Sequence, residues 1–428
     1  MTEESATGTV AILGLGYVGM PLALSAAGRG WSVLGYDSNP KRVAAIAGGS
    51  PTTEDISPDV LKGALASGNF RPTADEADLD AATTFVICVP TPLDESHLPD
   101  LTAVRAATEA VTRHLKIGDL VILESTTYPG TTEEVVMPLL EKSGLACGVD
   151  FLLAFSPERI DPGNPTYGLE NTPKIVGGVT AQATKAAAAF YEAFVGSVVK
   201  VRSPKEAEMA KLLENTFRHV NIALVNELAI CCEEMGIDIW EVVDAAATKP
   251  FGFLPFYPGP GTGGHCIPLD PAYLSWKVRQ FGHPVRFVEL AEEVNLRMPK
   301  YVVDRLAAAL SDRAAKALNG ANILVLGVAY KANVGDTRES PAIEVMKLLR
   351  RKGSRVSYHD SHVPRFNFEG GMIESVPLNE DTLRRADAVV ILTAHAGVDY
   401  EAVLEAAPLV FDTRNATRGI EAANLVRL

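Results

Sequence analysis

Cys266 stands in the run Gly259-Pro260-Gly261-Thr262-Gly263-Gly264-His265-Cys266-Ile267-Pro268-Leu269-Asp270, in which four glycines fall within eight residues. Glycine carries no Cβ, so backbone there can come close to a ligand. A thiol at the end of such a loop can be presented to a small electrophile, and its neighbours are Gly, His and Pro rather than Val or Leu. The chain also opens with Gly14-x-Gly16-x-x-Gly19. A thiol working beside a hydride acceptor points to oxidation of an alcohol through an aldehyde to an acid, with the aldehyde held on sulfur. Three other cysteines read as structural. Cys88 lies in the apolar run Thr84–Val89, and Cys231 and Cys232 lie in an apolar helical pattern.

The elements around these residues follow from the pattern. Thr9–Leu13 is a short apolar strand ending at the glycines, Pro21–Ala27 reads as a helix, and Ser32–Asp37 as the next strand. That is the strand–turn–helix–strand setting in which the glycines allow a tight turn and a helix N-terminus faces a pyrophosphate. Asp37, eighteen residues past Gly19, suits a ribose diol and repels a 2′-phosphate, so NAD is expected rather than NADP. Further strands at Thr84–Val89 and Leu120–Leu123 end in loops that hold Thr91 and Thr126. Ligands of open α/β sheets bind at such carboxyl ends, which makes both threonines candidate cofactor contacts.

A second α/β pattern begins at Ala321–Gly327 and continues through a helix at Pro341–Lys352 and strands at Arg355–Asp360 and Ala388–Thr393. It lacks the glycine fingerprint. Its turn, Gly327-Val328-Ala329-Tyr330-Lys331, with Arg338 nearby, suits a phosphate-bearing ligand other than a dinucleotide. Between the two patterns, Ser203-Pro204-Lys205-Glu206 reads as a capping box that opens a helix running to about Met235, where Gly236 stops it. A helix of roughly 30 residues spans about 45 Å. Lys211 and Asn215 share one of its faces, a spacing whose ordinary reading is solvated surface. The expected fold is therefore α/β, with two Rossmann-like domains joined by a long central helix that can offer a face to a second subunit.

Composition narrows the classes. The chain has 428 residues, 47% hydrophobic and 21% charged, with a net charge of −14 and no long basic run, which argues against a nucleic-acid partner. No apolar run approaches the roughly 18 to 20 residues that span a bilayer. An odd cysteine count without regular spacing argues for a reducing compartment, and a cytoplasmic protein is expected. The scattered histidines suggest no metal site.

Gly14–Gly19, Ser156-Pro157-Glu158-Arg159, Ala210-Lys211-Leu212-Leu213-Glu214-Asn215, Gly263-Gly264-His265-Cys266 and Gly327–Ser340, in that order, resemble the nucleotide-sugar 6-dehydrogenases of the UDP-glucose/GDP-mannose dehydrogenase family, across essentially the whole chain. The resemblance implies an NAD-binding domain at residues 1–202, a central dimerisation domain at 203–316 that carries the cysteine loop, and a UDP-sugar-binding domain at 317–428, in a homodimer or higher homo-oligomer. It implies a C6 alcohol oxidised to a carboxylate with two NAD. Cys266 then matches the nucleophile, Lys211 and Asn215 the residues that stabilise the oxyanion, Glu158 the glutamate implicated in water activation, and Asp270 the aspartate four residues past the nucleophile. Lys331 matches a substrate-binding lysine and Arg338 a cofactor-proximal arginine. Tyr17, Val18 and Arg42 complete the candidate cofactor contacts; Arg159, Tyr257, Gly259, Gly263 and Tyr330 join Glu158, Lys211 and Asn215 as candidate substrate contacts.

Arg159-Ile160-Asp161-Pro162-Gly163 and His265 depart from the UDP-glucose branch, which has Phe-Leu and a second glutamate after the first and a serine before the cysteine. With Pro250-Phe251-Gly252-Phe253 and the Tyr257–Gly261 run, they are more similar to the UDP-N-acetylhexosamine dehydrogenases, particularly those acting on UDP-N-acetylglucosamine. UDP-N-acetylmannosamine, UDP-N-acetylgalactosamine and UDP-glucose remain alternative substrates. A two-electron dehydrogenase of the hydroxyacid type and a non-catalytic nucleotide-sugar sensor are the rival readings.

Overall fold

The computed structural model describes residues 8–428 apart from 52, 54, 55, 95–97, 162, 163, 165, 265, 266 and 268. The chain forms two units. One comprises the residues up to Glu214 together with Ala272–His283, and the other Asn215–Pro271 together with Pro284–Leu428.

The first unit is built on β1 (Thr9–Leu13), β2 (Ser32–Tyr36), β3 (Phe70–Thr73), β4 (Thr84–Ile87), β5 (Leu120–Leu123), β6 (Leu152–Phe155), β7 (Lys174–Gly178) and β8 (Val198–Lys200). They form one sheet in the order β3-β2-β1-β4-β5-β6-β7-β8, parallel throughout except between β6 and β7. Helices cover both faces of a parallel sheet, so its strands are apolar on both sides. Val10 to Leu13 and Val121 to Leu123 are accordingly fully buried. Strand order reverses between β1 and β4, where the chain leaves β1 at Gly14 with φ +98°. The β4 ladder stops at Ile87 instead of Val89, because its partner strand has ended at Leu13.

The second unit holds β9 (Asn322–Leu326), β10 (Arg355–His359), β11 (Arg365–Phe368), β12 (Gly371–Glu374), β13 (Ala388–Ile391), β14 (Val410–Asp412) and β15 (Leu425–Arg427). Its main sheet runs β10-β9-β13-β14-β15, all parallel, with β11 and β12 as a separate hairpin. This is a doubly wound sheet whose order reverses between β9 and β13.

The long helix is Pro204–Met235, 32 residues. Ser203 Oγ accepts the Lys205 N–H at 3.3 Å and donates to the Glu206 carboxylate, so the expected box closes side chain to side chain. Gly236 ends the helix at φ +68°. Cys232 is buried but Cys231 is exposed, which corrects the reading of both as core residues. Successive helical residues point about 100° apart, which here turns Cys232 inward and Cys231 outward.

Candidate active site

In the first unit the glycine fingerprint is closed on its inner side and open on its outer side. A Cβ on Gly14 would sit 2.6 Å from the Cys88 carbonyl oxygen, and one on Gly19 1.9 Å from that of Gly14, whereas one on Gly16 would meet nothing within 4 Å. The following helix, Gly19–Gly28, has no acidic residue in its first turn. Bare backbone, open space and an uncompensated helix N-terminus fit a dinucleotide pyrophosphate. Tyr17 is exposed and Val18 half-buried on this turn. Asp37 is 5% exposed; its Oδ2 accepts the Leu15 N–H at 3.0 Å and Arg42 Nη1 at 2.9 Å, and its Oδ1 accepts the Asn39 N–H at 2.9 Å. Thr91 and Thr126 follow β4 and β5 as expected, the first buried and the second half-buried. Thr127, which the sequence reading passed over, has a buried Oγ1 with no hydrogen-bond partner.

Glu158 follows β6 and belongs to a buried charge cluster. Its Oε2 pairs with Lys174 Nζ at 2.9 Å, and its Oε1 accepts the N–H groups of Arg159 and Ile160, each at 2.6 Å. Lys174 Nζ also pairs with Glu124, which accepts the Tyr191 hydroxyl at 2.7 Å. Burial works to raise the Glu158 pKa, but the Lys174 ammonium outweighs it and holds the carboxyl at about 2. Burial prevails at Glu124, pushed up to about 7 against the same ammonium. Burial also works to lower the Lys174 pKa, and the two carboxylates raise it above the ordinary lysine value. Arg159 is fixed by Glu214 (Nη2 to Oε1, 2.6 Å) and by the Pro173 carbonyl (2.6 Å). Glu124, which reads from the sequence only as part of the polar loop after β5, and Lys174 are functional candidates that the sequence analysis missed, although a lysine opening the buried strand β7 is a visible anomaly.

The long helix presents Lys211, 8% exposed, and one turn later Asn215. Glu208, one turn before Lys211, accepts the N–H groups of Gly130 and Thr132 at 2.5 and 2.9 Å and the Thr132 hydroxyl at 2.7 Å. Burial raises it to about 7 against those bonds.

In the second unit Asn215 Nδ2 donates to Asp270 Oδ2. Cys266, His265, Pro268, Pro162 and Gly163 lie outside the described residues. The glycines before the cysteine have a different use from the expected one, since it is the protein's own chain that approaches them. A Cβ on Gly259 would sit 2.5 Å from Arg414 Nη1, one on Gly263 2.7 Å from the Glu339 carbonyl oxygen, and one on Gly264 2.7 Å from the Tyr330 ring. Gly264 N–H donates to the Arg338 carbonyl at 3.2 Å, and Gly259 N–H to Asn226 Oδ1 at 2.9 Å. The loop is thereby seated against residues 330–339, which carry the half-buried Lys331. Arg338 is exposed, its guanidinium on Asp336 at 2.6 Å. Tyr257 donates its hydroxyl to Asp244 at 2.8 Å and stacks on Trp240. Arg414, also missed, follows β14 and donates from Nε to the Leu392 carbonyl at 2.8 Å; burial lowers its pKa to about 10 although Asp412 opposes this.

Two doubly wound sheets, one with a turn that fits a dinucleotide and one with a lysine-bearing turn, suit a dinucleotide-dependent enzyme with a second, phosphate-bearing ligand. Models of the UDP-glucose/GDP-mannose dehydrogenase family match all three of its parts, the NAD binding domain at residues 8–195, the central domain at 205–297 and the UDP binding domain at 324–419. The chain is 38% identical over 391 residues to the UDP-N-acetyl-D-glucosamine 6-dehydrogenase of Pseudomonas aeruginosa, covering 90% of each. It is 36% identical over 400 residues to an NDP-N-acetyl-D-galactosaminuronic acid dehydrogenase of Ralstonia solanacearum, covering 90% of each. The solved structure of a UDP-D-ManNAc dehydrogenase from Pyrococcus horikoshii superposes with a TM-score of 0.88 at 34% identity, covering 98% of each chain. The chain belongs to the UDP-glucose/GDP-mannose dehydrogenase family of NAD-dependent nucleotide-sugar 6-dehydrogenases. No described helix is long and apolar enough to cross a membrane.

Proposed function

We propose that the chain oxidises the C6 hydroxyl of a UDP-N-acetylhexosamine to the uronate in two successive two-electron steps, with UDP-N-acetylglucosamine as the preferred sugar. The observation that carries this reading is the coexistence in one chain of the open dinucleotide turn, Lys211 and Asn215 one turn apart on a helix, and Asp270 bonded to Asn215 four residues past Cys266. NAD, when bound at the first sheet, accepts the hydride of each oxidation.

The protein's own groups account for the rest. Cys266 sulfur adds to the C6 aldehyde, which keeps the sugar on the enzyme as a thiohemiacetal. Loss of hydride from C6 and of the hydroxyl proton leaves a thioester, and water cleaves its C–S bond to release acid and thiol. The Lys211 ammonium and the Asn215 amide stabilise each oxyanion, a donor of this kind contributing about 3 to 4 kcal/mol. Asp270 orients the Asn215 amide. Glu158, held as an anion by Lys174, orients water without taking its proton. Tyr330, Lys331 and Arg414 bind the nucleotide sugar from the turns of the second sheet, and Arg338 takes the part of the family's cofactor-proximal arginine.

The same reading makes residues 203–316 the dimerisation segment of a homodimer. Leu213, Phe217, Leu224 and Leu228 recur along the long helix at steps of four, seven and four, and are 59%, 47%, 50% and 44% exposed. Such a row suits a second copy of the same helix.

The test is NADH yield and kcat/KM over UDP-N-acetylglucosamine, UDP-N-acetylmannosamine, UDP-N-acetylgalactosamine and UDP-glucose. Two NADH per sugar are expected, with the highest kcat/KM for UDP-N-acetylglucosamine. One NADH with release of aldehyde would return the two-electron reading, and binding without turnover the sensor.

A further inference from the structure

The turn after β9 is held by a pair of side chains that the chemistry above leaves unused. Asp360, 3% exposed, follows β10 and accepts the Val328 and Ala329 N–H groups on Oδ2 at 2.7 and 3.1 Å. The same oxygen lies 3.0 Å from His395 Nε2. On the far side of the ring, His395 Nδ1 lies 3.0 Å from the backbone nitrogen of Asn333. Asn333 has φ +62°, a left-handed conformation uncommon outside glycine, and its Oδ1 accepts the Ala396 N–H at 2.7 Å.

These contacts fix the tautomer. A backbone N–H can only donate, so Nδ1 must offer a lone pair to Asn333. Asp360 offers only acceptors, so the proton sits on Nε2. A ring protonated at both nitrogens would set N–H against N–H at Asn333. The ring is 3% exposed, with His362 stacked on it at 4.8 Å. Asp360 and His362 are the titratable groups against it, and Tyr400 donates its hydroxyl to the His395 carbonyl at 3.4 Å.

We propose that His395 is a positioning residue for the nucleotide-sugar site, its neutral Nε2-protonated ring pinning residues 330–338 through Asn333. This rests on the reading of Lys331 as a substrate contact. The pinned segment reaches further, because Arg338 accepts the Gly264 N–H and Tyr330 packs where a Gly264 side chain would stand. His395 therefore holds both the lysine-bearing turn and the base of the glycine-rich loop that leads to Cys266. When the pin is lost, the binding-competent arrangement becomes one of several, and apparent affinity falls in proportion to the fraction that remains competent.

Amide isosteres separate the two nitrogens. Asparagine places its amide oxygen near Nδ1 and can still accept from Asn333, whereas glutamine places its amide nitrogen near Nε2 and can still donate to Asp360. The experiment titrates the full-length wild type, His395→Gln, His395→Asn and Lys331→Ala with UDP and with NAD by calorimetry, and measures KM and kcat for the sugar substrate. His395→Gln is expected to weaken UDP binding about tenfold, with KM rising more than kcat falls and NAD affinity unchanged. His395→Asn is expected to recover UDP affinity to within about threefold of the wild type. Equal losses in both variants, together with a lowered Tm, would show a merely structural histidine and overturn the proposal. So would unchanged UDP affinity in His395→Gln when Lys331→Ala loses it. Unchanged affinity in Lys331→Ala would overturn the reading of the site itself, and this proposal with it. Ring 15N shifts of the wild type test the tautomer without any variant: a protonated Nδ1 overturns the proposal.

Discussion

Asp360 does in the second unit what Asp37 does in the first. Each follows the second strand of its sheet and accepts the N–H of the residue after the turn glycine, Leu15 at 3.0 Å or Val328 at 2.7 Å. Each also accepts the N–H two residues further along, from Asn39 or His362. Gly14 and Gly327 bond to the strand ends in the same way, through Tyr36 and His359. The difference lies in the outer partner. Asp37 is capped by Arg42, whose own side chain is 41% exposed, whereas Asp360 is capped by His395, 2% exposed.

Asp37→Ser is therefore expected to move the ratio of NAD to NADP efficiency toward NADP by about 10- to 100-fold, the worth of a charged hydrogen bond. It removes the carboxylate that repels a 2′-phosphate and frees the Arg42 guanidinium. Paired kcat/KM values measure the change, and an unaltered ratio would remove Asp37 from the ribose site.

Cys266→Ser is expected to lower uronate formation about 10³-fold or more while NAD binding stays near normal, because a serine hydroxyl stays protonated near neutral pH. Mass spectrometry of quenched wild type should find sugar on Cys266 and on no other cysteine. Near-normal acid output from the serine variant refutes the nucleophile.

Glu124 and Glu208, raised by burial to about 7 from an ordinary 4.5, keep protons in the folded chain that the unfolded chain releases. Their contribution to stability is full below pH 4.5 and is lost as pH rises through about 7. Glu158 runs the other way: its contribution is present above 4.5 and is lost as pH falls through about 2. Glu124→Gln should flatten the decline between about pH 5 and 8 in urea denaturation, because the amide can still meet Lys174 and Tyr191. A slope identical to that of the wild type would exclude Glu124 as a titrating group. Lys174→Met should destabilise by about 3 to 5 kcal/mol by stranding buried carboxylates, and adding Glu124→Gln should restore part of it.

Leu224→Glu with Leu228→Glu is expected to shift light-scattering mass from dimer to monomer, since each leucine is about half exposed on the long helix. A dimer that survives both substitutions would place the interface elsewhere.

Much of this was legible in the sequence because it is local. The glycine fingerprint, the apolar strands β1 and β5, the N-terminal serine of the long helix and the glycine that ends it each announce themselves within a few residues. The site was legible only where a motif held it. Lys174 and Glu124 are 50 residues apart and meet only because β7 pairs with β6 beside β5, an adjacency no local pattern contains. Arg414, Asn226 and His395 escaped for the same reason, each having a chemistry that depends on partners far along the chain. The glycines of the Cys266 loop read as room for a ligand, and folding used that room for Tyr330 and Arg414.

Ala272–His283 belongs to the first unit although it lies beyond a long excursion into the second. Tyr273 in this segment donates its hydroxyl to the carbonyls of Thr91 and Pro92 at 3.0 and 3.1 Å, and Lys277 pairs with Glu134 at 2.6 Å. On the ribosome, then, a nascent chain that has reached Glu214 holds every strand of the first sheet but not its last covering. At ~5–20 residues per second, that covering arrives roughly 3 to 14 s later. An N-terminal fragment cut before Ala272 would stay in that interim condition permanently, so the cofactor half cannot be harvested by a single truncation.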